Sequence, residues 1–505
     1  MKKKSWPNTK NWKTVSDQTR MIFFRKKAKP LYITTTLPYV NADLHMGHAL
    51  EFVRADIIAR FKKAEGFDVF FNTGTDEHGM KIYEKATESG KTAQEFVDNS
   101  FLQFKKSVEV LGMDKDLHFV RTTSAGHEKA AQEFWNRVKK NGFIYKKTYQ
   151  AKYCVGCEEI KSDSELLNNE CPLHPGRKLE LIEEENYFFK YSAFGDKLIK
   201  FYKKNPKFVV PDFRFNEIKS FVERGLHDFS ISRLRLKMPW GIPVPGDRDQ
   251  VMYVWFDALV SYISTLGWPE DEENFKKYWI KGNPTQYCGK DNLRFQSAMW
   301  QAMLMAAGIE NSHQIIINGF ITADHGLKMS KTLGNVVDPK EIVRDYSTDA
   351  LRFFLAKEIS NFEDSPFTMD RFKDAYNAGL ANGLGNLVSR IMKMAETHLE
   401  KAPAISQKSL PKEFTAFIDG FNIQNATNFI WEHITELDQY IQRERPFEVV
   451  KKDKKKAQKI IKHMVIKLYN IACMLGPIMP ETSETIKKLI KENKMPEKSI
   501  FPRKD

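Results

Sequence analysis

The run from Leu31 to Gly74 constrains the fold more than any other part of this chain. LYITTTL (31–37) is short and rich in β-branched residues, which predicts a strand. ALEFVRADIIARFKKAEG (49–66) repeats apolar residues at helical spacing and closes on Gly66, which predicts an amphipathic helix. FDVFFNTG (67–74) predicts a second strand. Strand, helix and strand in that order make a βαβ unit, so the two strands lie parallel in one sheet. Two similar segments come much later, TQYCGKD (285–291) leading into a helix and QIIINGFI (314–321). The sheet is therefore expected to be split across sequence. Residues from about 145 to 250 read as an insertion with its own cysteine cluster, and from about Phe372 onward the chain is helical and lysine-rich.

Between the first strand and its helix lies LPYVNADLHMGHAL (37–50). His45 and His48 stand three residues apart, so they share one side of a helical turn. A helix N-terminus presents unpaired N–H groups and partial positive charge, which favours phosphate. Gly47 would let a ligand approach the backbone closely. Two imidazoles here would donate hydrogen bonds to charge that builds at phosphorus. The plainer alternative is a pair of ordinary polar loop histidines. A second basic motif, HGLKMSKTLGN (325–335), holds Lys328 and Lys331 around Met329 and Ser330. Paired ammoniums on a glycine-bordered loop suit a mobile clamp on a polyphosphate; an exposed basic turn is the simpler alternative. The two motifs together are far more specific than either one.

The net charge of +14 suits a polyanionic partner, most simply nucleic acid. An apolar content of 42%, with 37 Phe, is ample for large cores, and no run of 18 uncharged apolar residues suggests a membrane span. The length of 505 residues implies several domains. The first 29 residues hold ten Lys or Arg and a single acid, Asp17. They read as a disordered basic tail, with a targeting peptide as the alternative; Met21 is a second candidate start. KKDKKK (451–456) reads as a solvated helix face.

Of the five cysteines, three cluster in KYCVGCEEIKSDSELLNNECPLHPG. Cys154-x₂-Cys157-x₁₃-Cys171-x₂-His174 offers two short pairs on separate turns, a pattern that closes a tetrahedron around Zn²⁺ rather than leaving free thiols. Four protein ligands make such a site structural. Cys288, Cys473, His127 and His227 read as ordinary structural residues. Cysteines used this way point to a reducing, cytoplasmic setting.

These motifs carry a resemblance. PYVNADLHMGH resembles the "HIGH" signature of class I aminoacyl-tRNA synthetases, and LKMSKT their "KMSKS" loop. With TGTDEHG (73–79), YVWFDA (253–258), GKDN (289–292) and INGFITADHGLKMSKT (317–332), the chain is similar to the methionyl-tRNA synthetase family from about Leu31 into the helical part. The resemblance implies an α/β fold. A Rossmann-type parallel catalytic sheet is split by a zinc-knuckle connective insertion and followed by an α-helical anticodon-binding domain. The implied organisation is a basic extension (1–29), the first catalytic half (30–144), the connective domain (145–250), the second catalytic half (251–325), the KMSKS loop and linker (326–370), and the helical domain (371–505).

The implied reaction joins methionine and ATP into methionyl-adenylate, then moves the methionyl group to the 3′-terminal adenosine of tRNA(Met), with Mg²⁺ accompanying the ATP. His45 and His48 would stabilise the pentavalent phosphorus. Lys331, assisted by Lys328, would neutralise the departing pyrophosphate. Asp291 would bind the ATP ribose, with Pro38, Gly47, Gly289 and Ser330 completing the nucleotide site. No general base is needed, because the attacking carboxylate is already ionised, so catalysis is positioning plus electrostatics.

The resemblance places the methionine pocket at Leu37, Tyr39, Asp76, Trp255, Ala258 and Tyr262. Aromatic walls suit a polarisable thioether, and Asp76 would pair with the substrate ammonium. Asn292 and Gln296 replace a customary aliphatic residue and histidine, and Leu259 replaces a frequent proline; Asn292 and Gln296 are expected to bond to each other or to the backbone. GLGNLVSRIM (383–392) resembles the anticodon helix, placing Asn386 and Arg390 on one face. Phe447 stands where tryptophan is usual and would stack on an anticodon base.

Related synthetases for leucine, isoleucine and valine normally carry a larger editing insertion. The cysteine enzyme uses zinc in its amino-acid pocket. A tRNA-binding protein without catalysis would not need His45, His48, Lys328 and Lys331, and a generic nucleotidyltransferase would not need Trp255 or the knuckle. The chain is expected to be a cytoplasmic monomer.

Overall fold

The structure is a computed structural model that describes residues 28–40, 43–161, 166–323, 337–405 and 409–505. Most of the basic extension and the loop bearing Lys328, Ser330 and Lys331 lie outside the described residues.

Strands β1 (Pro30–Thr34), β2 (Asp68–Thr75) and β3 (His118–Arg121) come from the first part of the chain. β4 (Ile144–Cys154) and β5 (Glu180–Phe189) form an antiparallel ribbon in the insertion. β6 (Val209–Val210), β7 (Thr285–Gly289) and β8 (Gln314–Asn318) return to the first sheet. That sheet has the order β3-β2-β1-β7-β8-β6, and every pairing in it is parallel. β1 and β7 are adjacent although about 250 residues separate them, Ile33 pairing with Thr285. The split sheet read from sequence is thus the sheet observed. The short β6 falls within the 145–250 stretch yet pairs with β8.

The helix expected after the histidines is α1 (Met46–Ala64). It ends on cue: Gly66 adopts φ +88°, a left-handed conformation that stops the helix without a Cβ clash. α1 is buried around most of its circumference, through Leu50, Phe52, Val53, Ile57 and Phe61. A helix apolar on most faces belongs inside a core. Its core runs without a break into the C-terminal helices, reaching Leu387, Ile434, Leu468 and Ile486. Arg54 is fully buried on α1 and donates to four backbone carbonyls, those of Asn361 (2.7 Å), Ile359 and Ser360 (2.9 Å each) and Leu355 (3.4 Å). A second core, on the other side of the sheet, gathers Tyr32, Phe134, Trp135, Phe256 and Trp300.

Further helices place the candidate site. α2 (Met80–Glu88) follows β2. α3 (Val254–Ser264) precedes β7. α4 (Asn386–His398), α5 (Ile423–Glu444) and α6 (Lys454–Leu475) build the helical part. No described helix is long and apolar enough to cross a membrane.

Candidate active site and zinc knuckle

β1 ends at Thr34, and the chain crosses the carboxyl edge of the sheet to reach α1, the place where open α/β sheets bind ligands. His45 is the N-cap of α1. Its Nδ1 accepts from the Gly47 N–H at 3.1 Å, and the Nδ1 of His48 accepts from the His45 N–H at 3.3 Å. The two histidines thus form a reciprocal cap of the kind usually made by Ser and Glu. The rings stack with centroids 3.8 Å apart. Because each Nδ1 accepts a backbone proton, each ring proton sits on Nε2. Burial, with the neighbouring His45, lowers the His48 pKa well below its usual value, so that ring is a neutral donor. The glycine has a use besides the one expected: a Cβ on Gly47 would lie 2.9 Å from His45 Cε1. Glycine makes room for the folded-back imidazole.

Tyr39 and Asp76 face one another across an isolated parallel bridge, and the Asp76 N–H donates to Pro38 O at 3.0 Å. Asp76 is buried, and its Oδ1 meets no hydrogen-bond partner among the described residues. Burial raises its carboxyl well above the ordinary value, and the neighbouring Asp257 and Glu158 raise it further. A carboxyl so placed is neutral when alone and ionises when a cation is brought against it. Beyond them, α3 places Trp255, Ala258 and Tyr262 three and four residues apart on one face. Trp255 stacks on Phe295 with centroids 3.8 Å apart and planes 4° from parallel, its indole N–H unpaired among the described residues. Leu37 is half-buried beside Pro38, and Leu259 is buried in the second core.

The expected bonding of Asn292 and Gln296 to each other or to the backbone is replaced by bonds to other side chains. Gln296 accepts from Gln286 Nε2 at 2.6 Å and donates to the Tyr262 hydroxyl. Asn292 donates to Asp291 Oδ1 at 3.2 Å. β7 runs out at Gly289, where a Cβ would come within 2.7 Å of Asp291 Oδ1.

Sequence reasoning missed several residues that this geometry draws in. Glu51 on α1 accepts from the Thr36 N–H (2.7 Å) and hydroxyl (2.6 Å), and burial pushes its carboxyl up to about 8. The signal was an acid within the apolar run ALEFV. His78 and Asp257 lie inside quoted motifs and form a fully enclosed pair at 3.0 Å. Glu158, next to Cys157, receives the Tyr39 hydroxyl at 2.7 Å.

The knuckle holds Cys154, Cys157, Cys171 and His174 with all four ligand atoms within 4.8 Å of one another. The Cys157–Cys171 sulfurs are 3.4 Å apart, and His174 Nδ1 lies 3.3 Å from Cys157 Sγ and 3.8 Å from Cys154 Sγ. A tetrahedron with Zn–S bonds of about 2.3 Å has edges of roughly 3.8 Å, so the donor set fits Zn²⁺. Gly156 is required here: a Cβ would fall 2.4 Å from the His174 ring.

In the helical part, Asn386 is exposed at the start of α4. Arg390, one turn on, pairs with Asp438 of α5. Phe447 is 45% exposed just beyond α5.

Residues 31–178 and 163–392 match the family described as tRNA synthetases class I (M). Fold and site together therefore define a class I aminoacyl-tRNA synthetase. The chain is 38% identical over 470 residues to a methionine–tRNA ligase of Caldanaerobacter subterraneus subsp. tengcongensis, covering 90% of this chain and 73% of the relative. It is 40% identical over 474 residues to one of Thermosynechococcus vestitus, covering 90% and 88%. A solved Mycobacterium tuberculosis methionyl-tRNA synthetase in complex with methionyl-adenylate superposes with a TM-score of 0.87 at 33% identity, covering 94% of this chain and all of that one. The chain belongs to the methionyl-tRNA synthetase family.

Proposed function

We propose that this chain is a methionine–tRNA ligase: it activates methionine with ATP and transfers the methionyl group to the 3′-terminal adenosine of tRNA(Met). The observation that carries the reading is Asp76, a buried acid with one oxygen that has no partner among the described residues, bridged to Tyr39 at the carboxyl edge of the sheet. An α-ammonium supplies the missing cation. The Trp255–Phe295 stack and Ala258 offer an apolar, polarisable surface for a thioether.

With the amino acid so held, its carboxylate needs only alignment with the α-phosphate. His45 and His48 present Nε2 protons at the N-terminus of α1, where negative charge grows on phosphorus. Pro38, Gly47, Gly289 and Asp291 line the nucleotide side, and Glu51 braces it through Thr36. Lys328, Ser330 and Lys331 complete the triphosphate site in this reading. Mg²⁺ would accompany the ATP and screen the charge of its triphosphate. Cys154, Cys157, Cys171 and His174 would hold a structural Zn²⁺. Asn386, Arg390 and Phe447 would meet the anticodon. The protein acts as a cytoplasmic monomer.

Amino-acid-dependent ATP–pyrophosphate exchange across all twenty amino acids tests this. Exchange with methionine is expected. Preference for leucine, isoleucine, valine or cysteine would assign a sibling enzyme, and no exchange at all would assign a non-catalytic RNA binder.

A further inference from the structure

Beneath the proposed amino-acid pocket runs a buried chain of amides and hydroxyls: Gln301, Ser312, Gln286, Gln296 and Tyr262, each at most 3% exposed. Its direction is not arbitrary. Gln301 Oε1 accepts from the backbone N–H of Ser312 at 3.1 Å, and Gln301 Nε2 donates to the backbone carbonyl of Gln296 at 2.8 Å. A backbone N–H only donates and a carbonyl only accepts, so the Gln301 amide has one orientation. Its Nε2 also donates to Ser312 Oγ at 3.1 Å. The Ser312 proton must then go to its other neighbour, Gln286 Oε1. That turns Gln286 Nε2 toward Gln296 Oε1, at 2.6 Å, and Gln296 Nε2 toward the Tyr262 hydroxyl oxygen.

Every link donates in the same sense, and the chain ends on Tyr262 as acceptor. No acceptor among the described residues takes the phenolic proton. Burial keeps that phenol protonated, and serial donation into its oxygen makes the O–H a better donor. Tyr262 shares its helix face with Trp255 and Ala258. Its unused donor therefore belongs to the pocket that these residues wall.

We infer that Gln301, Ser312 and Gln286 are positioning residues that set the direction of this chain, so that Tyr262 is held as a hydrogen-bond donor to the side-chain heteroatom of the bound amino acid. The inference rests on the pocket assignment above. A thioether sulfur is a weak acceptor, whereas a methylene is none. Methionine is thus told from an equally long hydrocarbon chain by one oriented proton, not by volume alone.

The test is the ratio of kcat/KM for methionine to kcat/KM for norleucine, which replaces the sulfur by a methylene, in pyrophosphate exchange. Ser312→Ala removes the proton that orients Gln286. It is expected to lower the ratio by about two- to tenfold, the range for one hydrogen bond, with the KM for ATP unchanged. Ser312→Thr keeps a hydroxyl and should keep the ratio. In a Tyr262→Phe background, Ser312→Ala should change the ratio no further, because the end of the chain is gone. If Ser312→Ala does not fold, Gln286→Met is read by the same ratio. Equal losses for both substrates, or an unchanged ratio in Ser312→Ala, would overturn the inference. An unchanged ratio in Tyr262→Phe would overturn the pocket assignment itself, a separate result.

Discussion

The hydroxyl of Tyr39 donates a 2.7 Å hydrogen bond to Glu158 Oε2 and so joins the loop before α1 to the zinc knuckle. The same carboxylate accepts from the Lys81 N–H at 3.1 Å, in the first turn of α2. The Glu158 carbonyl accepts from the Tyr253 hydroxyl at 2.6 Å. Gly79 makes the space: with φ +112°, it has no Cβ to meet Glu158 Oε2 at 2.8 Å. Glu158 itself is buried at φ +54°, a conformation that non-glycine residues avoid. A residue beside a metal ligand is therefore a brace for the loop on which Tyr39 sits and for the helix that follows Asp76.

Glu158→Ala is expected to raise the KM for methionine by roughly tenfold, the cost of about one charge-assisted hydrogen bond. The KM for ATP and the zinc content should stay as they are. Glu158→Gln, which keeps an acceptor, should recover most of the loss. Pyrophosphate exchange with each substrate varied in turn separates the outcomes; equal changes in both KM values would mean that Glu158 supports the whole domain instead.

A second prediction concerns pH. The Glu51 carboxyl is pushed from 4.5 up to about 8 by burial. Below 4.5 the folded and unfolded chains both hold the proton, so the group contributes no pH dependence. Between the two values the unfolded chain releases it and the folded chain keeps it, so stability falls as pH rises; near 8 the loss is complete. Glu51→Gln cannot titrate. The melting temperature of the variant relative to the parent should therefore rise between about pH 5 and about pH 8.5. A constant difference would show that Glu51 is already ionised in the folded protein.

Much of this was legible in the sequence because it is local. The βαβ order, the α1 start at His45 and the Gly66 stop depend on neighbours a few residues apart. The four knuckle ligands could be read because metal geometry demands short pairs. What was not legible is what crosses the chain. Glu158 and Tyr39 are 119 residues apart, and His78 and Asp257 are 179 apart. Gln296 is expected from sequence to bond to Asn292 or to the backbone, whereas its partners, Gln286 and Tyr262, come from a strand and a helix elsewhere in the chain. A parallel sheet split by an insertion guarantees such contacts and gives no spacing by which to find them. Gly47 is a subtler case: the residue type is legible in the sequence, but the room it leaves for the His45 ring is not.

Arg390 bears on RNA recognition. It is paired with Asp438 when the protein is free, and both side chains are partly exposed. Such a pair is worth about 0–1 kcal/mol, too little to hold the guanidinium against a base edge that returns about 1–3 kcal/mol. Arg390→Ala should leave methionine-dependent pyrophosphate exchange intact and lower kcat/KM for tRNA charging by roughly tenfold or more. Asp438→Asn should change charging by less than about fivefold. Loss of exchange in Arg390→Ala would place the residue in the architecture of the enzyme and not in RNA reading.

The union of the catalytic and helical parts turns on Arg352. Its side chain is fully buried, 2.6 Å from Asp56 Oδ2 on α1, and it donates to the carbonyls of Ile478 (2.8 Å) and Pro477 (3.0 Å) just after α6. Asp56 in turn holds Arg60 (2.7 Å) and accepts from the Asp114 N–H (2.8 Å). Removing the guanidinium leaves the buried Asp56 carboxylate with only Arg60 and the Asp114 N–H among the described residues, and takes a donor from the carbonyls of Ile478, Pro477, Leu111 and Gly112, whereas removing both charges together leaves less behind. Arg352→Met is expected to cost about 3–5 kcal/mol of stability, and Arg352→Met with Asp56→Leu clearly less than the sum of the two single changes. Denaturant unfolding of the three variants measures the coupling. Strict additivity would mean that the two residues do not depend on one another, and that other contacts, such as the Lys62–Asp419 ion pair and apolar packing, join α1 to the helical part.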